Sequence, residues 1–291
     1  MSYLDDLLSF VETDVATTRE KVSKGAFPYP GGKSRSLGNL LPLLPYRNKY
    51  IELFGGSGVV FMNRKRSKCE VFNDKHAGLV DFFKSCREKP DDVIEYLKQF
   101  PFSREDFIDC RDTWVTTTDP LERGCKWFYS IINSFTSQGR NFGRSLQDSS
   151  AKHLRREPII KEIAARFKDV LIENQDFMQL LKDYDSSDSV FYLDPPYIGD
   201  LCSTMSGFYK HMMTREEHLA LIEQVFKMKG FVAVSSYKNP LYEPYPWTRV
   251  ECWEIMLSMK GCAFTESNKL LELRDRSESR PMRYEYLYIK E

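Results

Sequence analysis

Two spacings of apolar residues alternate along this chain. Short runs rich in β-branched and aromatic residues fall at 50–55 (YIELFG), 68–74 (KCEVFND), 169–175 (DVLIENQ), 190–196 (VFYLDPP), 231–237 (FVAVSSY), 249–256 (RVECWEIM) and 284–290 (YEYLYIK). They are too short for helices and have the composition of strands. Helical spacing lies between them, at 78–87 and at 214–228, where Thr214 stands before Arg-Glu-Glu-His as an N-cap. A further amphipathic helix is expected over 4–22, from Leu4, Leu7, Leu8, Val11 and Val15, before Gly25 and Pro28 end the pattern. Strands alternating with helices, several strands ending in small or acidic residues, predict a doubly wound α/β fold. Its sheet would be mostly parallel, with a ligand at the carboxyl edge.

The alternation breaks between about 85 and 167. Helical stretches are expected there around 91–100, 103–113 and 120–133, followed by the polar, glycine-containing NSFTSQGRNFGRSLQDSS. This reads as an inserted subdomain. The chain as a whole has 42 basic and 42 acidic residues, so its net charge predicts neither a nucleic-acid nor a membrane partner. Residues 139–168, however, hold eight Lys/Arg against three Asp/Glu, which suits a solvated face or a local grip on phosphates. Seven cysteines without a C-x-x-C pair fit reduced thiols better than a disulfide framework or a zinc site. The acidic start and the lack of a long apolar run predict a protein of the cell interior.

Three motifs carry chemistry. YIELFGGSGVVF (50–61) sets a glycine-rich turn between a strand and an apolar helix, either for packing or for close approach of a cofactor. About twenty residues on, Asp74 ends the next strand, where an acid can accept both hydroxyls of a ribose. No basic residue stands in the turn to meet a pyrophosphate, which favours an adenosine with an uncharged linkage, as in S-adenosylmethionine. PYPGGKSR (28–35) is not a triphosphate loop, because Phe27 occupies the position of the first glycine. Lys33 and Tyr29 there suit a carboxylate-bearing ligand with a ring stacked nearby. FYLDPPYIGD (191–200) ends a buried strand in an acid, two prolines and a tyrosine. An exocyclic amine on a base is a poor nucleophile because its lone pair is delocalised into the ring. The Asp194 carboxylate and the Pro195 carbonyl can accept its two hydrogens and free that pair, while Tyr197 stacks on the base.

With these residues the chain resembles, from about residue 26 onward, the DNA adenine-N6 methyltransferases of the Dam-like alpha (D12) class, particularly phage-borne members. YPGGK, ELFGGSG, FND, NQDF (174–177) and DPPY follow the family's order, with Tyr29 where tryptophan is more usual. SFTSQGRNFGRS, VSSYKNPLYE and RPMRYEYLYI are similar to segments of phage relatives. The resemblance implies a seven-stranded S-adenosylmethionine-dependent methyltransferase fold. It divides the chain into an extension (1–24), a catalytic domain (25–84 and 168–291) and an inserted, mainly helical target-recognition domain (85–167). It implies cofactor contacts from Tyr29, Gly32, Lys33, Phe54, Gly55, Gly56, Gly58, Asp74, Asp176, Phe177 and Asp194, and catalysis by Asp194, Pro195, Pro196 and Tyr197. Arg140, Asn141, Arg144, Lys152, Arg155 and Arg156 would contact double-stranded DNA, and the loop 198–213, with Phe208 and Tyr209, would cover a flipped base. No metal is called for, and the setting would be the cytoplasm of a bacterial or phage-infected cell. Alternatives at this point are methylation of RNA adenine or of cytosine N4, and a catalytically silent DNA-binding relative.

Overall fold

A computed structural model describes residues 25–29, 31–143, 152–197, 213–256 and 282–291. The 4–22 helix, Arg144, Phe208 and Tyr209 lie outside the described residues. All seven expected strands are present: β1 (Lys49–Glu52), β2 (Cys69–Asn73), β3 (Leu171–Glu173), β4 (Ser189–Leu193), β5 (Phe231–Ser236), β6 (Arg249–Met256) and β7 (Met282–Lys290). They form one sheet in the order β3-β2-β1-β4-β5-β7-β6. The first five are mutually parallel, and β7 runs antiparallel between β5 and β6.

Burial on both faces explains the near-continuous apolar runs of the central strands, since every residue of β4 and β5 is buried. Side chains alternate across β1. Tyr50 joins an aromatic layer with Phe61, Phe72, Phe82 and Phe83, while Ile51 and Leu53 join a second layer with Leu193, Leu221 and Tyr242. The chain leaves β1 toward β2 on one side and returns through β4 on the other. That reversal opens a crevice at the carboxyl ends of β1 and β4, the place where open α/β sheets take ligands.

The expected helices at 78–87 and 214–228 are α3 (Ala77–Glu88) and α9 (Arg215–Val225); a capping box formed by Thr214 and Glu217 starts the latter. Three shorter helices are α1 (Leu37–Leu40), which precedes β1, and α2 (Val59–Asn63) and α8 (Phe177–Asp183), which follow the ends of β1 and β3. The interrupting stretch forms α4 (Pro90–Lys98), α5 (Arg104–Thr113) and α6 (Pro120–Ile132). Side-chain caps explain two of these boundaries: Ser103 accepts from the Asp106 amide and Asp119 from the Glu122 amide. Helix α7 (Glu157–Phe167) was not foreseen, since its buried Ile160, Ile163 and Phe167 are thinly spread among charges, and neither were the short α1 and α8. Packing of α6 on α3 stacks Phe128 on Phe82 with ring centres 4.1 Å apart, so these helices share the aromatic layer that covers the sheet.

Candidate active site

The turn after β1 is built for close approach. Gly56 and Gly58 hold φ of 51° and 67°, a region that disfavours side chains. A Cβ on Gly55 would come within 2.2 Å of the Phe72 ring. Asp74 ties this turn to the end of β2: its carboxylate accepts from the Gly56 and His76 amides, each at 2.9 Å. Buried Asn73 fastens the strand ends together, donating to the Leu53 carbonyl and accepting from the Gln175 amide.

On the other side of the crevice, Lys33 reaches across 161 positions of sequence to Asp194. Its ammonium lies 2.6 and 2.7 Å from the two carboxylate oxygens and 3.0 Å from the Gly31 carbonyl. Glu285 of β7 stands 3.5 Å from the same ammonium and accepts a 2.6 Å hydrogen bond from the Tyr197 hydroxyl. Lys33 also sits over the Tyr197 ring, 5.3 Å from its centre. Burial raises the carboxyls of Asp194 and Glu285, and the Lys33 ammonium opposes it in both. Burial likewise lifts the Tyr197 phenol well above its ordinary value, so it stays a donor to Glu285.

Glu52, at the end of β1, is the third acid of the group. It is 2% exposed, takes a 2.8 Å hydrogen bond from Tyr50 and lines the cavity. Burial raises its carboxyl to about 8, with the Asp194 charge adding to the rise and the Tyr50 hydrogen bond opposing it. Asp194 and Glu285 thus share one ammonium, buried Glu52 adds a third carboxyl that feels the Asp194 charge, and a cationic ligand would be favoured among them.

The cavity has a volume of about 500 Å³ and brings together Tyr29, Gly32, Lys33, Phe54, Gly55, Gly56, Asp74, Phe177 and the Asp194–Tyr197 tetrapeptide. Gly58 lies behind the turn, where a Cβ would meet Phe83. Asp176 is not among the lining residues; it caps α8 by accepting from the Met178 amide, and Gln175 lines the wall beside it. Arg140 reaches the cavity rim together with Arg111, Trp114 and Gln138, three residues the sequence did not single out. Exposed Asn141, half-buried Lys152 and Arg156, and exposed Arg155 lie outside the lining. Glu52 could have been found as an acid inside an apolar strand. Glu285 and His218, which donates to the Pro196 carbonyl, carry no local signal of their position.

A seven-stranded sheet of this order, with a cavity across the switch point, is the fold of S-adenosylmethionine-dependent methyltransferases. Residues 29–247 match the D12 class N6 adenine-specific DNA methyltransferase family, and the chain belongs to it. Modification methylase StsI of Streptococcus sanguinis is 26% identical over 201 residues, which are 62% of this chain and 30% of that protein. The chain therefore spans under a third of that relative's length. Type II methyltransferase M.CviBI of Paramecium bursaria Chlorella virus NC1A is 22% identical over 234 residues, covering 77% of this chain and 88% of the relative. Among the described residues no helix is long and apolar enough to cross a membrane, and no cluster of His, Cys, Asp or Glu could hold a metal.

Proposed function

We propose that this chain methylates N6 of an adenine flipped out of double-stranded DNA, with Asp194 and the Pro195 carbonyl as the acceptor pair for the target amine. The observation that carries this reading is the held tetrapeptide beside a cavity with surplus buried carboxyls. Bound S-adenosylmethionine would supply an activated methyl group. The fit rests on the acids: its cationic groups would find Glu52, and its ribose hydroxyls would find Asp74 beside the glycine turn. The Lys33 ammonium opposes the rise that burial imposes on the Asp194 carboxyl and so favours the carboxylate, the form that accepts from the amine. Holding both amine hydrogens bends the nitrogen toward tetrahedral geometry and turns its lone pair out of the ring. Tyr29 and Tyr197 offer ring faces. A base inside a duplex cannot reach the cavity, so flipping it out costs a few kcal/mol of stacking and pairing.

The stretch 85–167 serves in this reading as the recognition unit. Arg140 at the cavity rim would meet DNA next to the flipped base, and Lys152, Arg155 and Arg156 would hold phosphates further out. The test is Asp194→Ala in single-turnover assays on a duplex containing the enzyme's target. The rate should fall on the order of a hundredfold or more while the circular dichroism spectrum stays unchanged. Wild-type turnover by this variant would remove Asp194 from the chemistry.

A further inference from the structure

Three of the four residues in the Asp-Pro-Pro-Tyr segment are held from outside it. Lys33 holds the Asp194 carboxylate and Glu285 the Tyr197 hydroxyl. The third anchor is His218 on α9, which is fully buried, with Nε2 3.0 Å from the Pro196 carbonyl and Nδ1 2.7 Å from the Tyr242 hydroxyl. A carbonyl can only accept, so Nε2 carries the proton and Nδ1 takes the tyrosine hydrogen. Burial pushes the imidazole below its ordinary value, which keeps it in this neutral form. Tyr242 is itself fixed. Its ring packs edge-on to Tyr288 at 5.3 Å, and its carbonyl accepts from the Trp247 indole at 2.8 Å.

The prolines make this anchor consequential. Their rings fix φ at 195 and 196, so the directions of the two carbonyls depend on ψ alone. With Asp194 held on one side and the Pro196 carbonyl on the other, the peptide between them has one arrangement. Among the described residues none donates to the Pro195 carbonyl.

We propose that His218 is a positioning residue for methyl transfer: by holding the Pro196 carbonyl, it leaves the Pro195 carbonyl presented to the target amine. This rests on the reading of Asp194 and Pro195 as the amine's acceptors. His218 touches neither cofactor nor base in that scheme, and acts through the backbone.

Two substitutions separate this role from a packing role. In His218→Gln the side-chain amide can reach where Nε2 was and still donate to Pro196. In His218→Asn the shorter amide reaches only the Nδ1 position and the Tyr242 hydroxyl. Rates are measured per cofactor-binding site in single turnovers on target duplex, alongside S-adenosylmethionine affinity. H218N should be slowed ~10- to 100-fold, the scale of a small misplacement of reacting groups, with cofactor affinity near wild type. H218Q should recover most of that loss. Equal rates in the two variants, or a loss confined to cofactor affinity or to thermal midpoint, overturn the inference and leave the proposed function standing. A wild-type protein that forms no N6-methyladenine would instead remove the function, and this inference with it.

Discussion

Glu52 shows how one side chain couples the site to pH. Its carboxyl titrates near 8 in the folded protein, against an ordinary value of 4.5, chiefly because it is buried. Between those values the folded state holds a proton that the unfolded state has released. Its contribution to stability is therefore complete below about pH 4.5 and is lost as pH rises toward 8. A cationic ligand beside Glu52 reverses the preference for the neutral acid, so binding should expel the proton. Calorimetry of S-adenosylmethionine binding at pH 7, in two buffers of different ionisation enthalpy, should show proton release by the wild type and little by Glu52→Gln. Equal release by both proteins would mean that the ligand's positive charge lies elsewhere. At this scale the sequence was partly legible. Lys33, Asp74 and Asp194 stood out because small and rigid neighbours flanked them at strand ends or in a turn. Glu52 sat inside a strand two residues from its partner Tyr50, whereas Glu285 meets Tyr197, 88 positions away in sequence, only after folding.

At the scale of elements, the turn after β1 is locked to β2 by packing as much as by hydrogen bonds. The Phe72 ring that faces Gly55 is itself enclosed by Phe61, Phe83 and Phe167, with ring centres 4.8 to 5.4 Å away. It cannot yield to a methyl group. Gly55→Ala should cost ~1–3 kcal/mol of stability through overpacking and displace the turn, so that S-adenosylmethionine binding weakens together with the thermal midpoint. An alanine variant with unchanged midpoint and affinity would show that the turn has slack. The strands were readable in the sequence because residues buried on both faces leave continuous apolar runs, and β4 and β5 are of this kind. The order of pairing was not readable, since it is fixed by contacts such as Ile51 beside Phe191, 140 positions apart in sequence and neighbours only after folding. Helix α7 was hidden for a related reason: its buried side meets α3 and α4, and only that context makes three scattered apolar residues a face.

Across the whole molecule, the two sides of the cavity come from different kinds of chain. The carboxyl ends of β1, β2 and β4 supply acids and backbone, while Arg111, Trp114, Gln138 and Arg140, from the stretch that interrupts the alternation, supply the opposite rim. In the proposed function a neutral protein would hold a polyanion this way, with positive charge at the rim proposed to meet DNA and negative charge at the wall proposed to meet a cationic cofactor. In the proposed function these two sides meet on an adenine. It is tested by incubating the protein with isotopically labelled S-adenosylmethionine and duplex DNA of mixed sequence, then digesting the product and separating the nucleosides. Label should appear in N6-methyldeoxyadenosine with the wild-type protein and be lost with Asp194→Ala. Label in N4-methyldeoxycytidine, or transfer to RNA with none to duplex DNA, would contradict it.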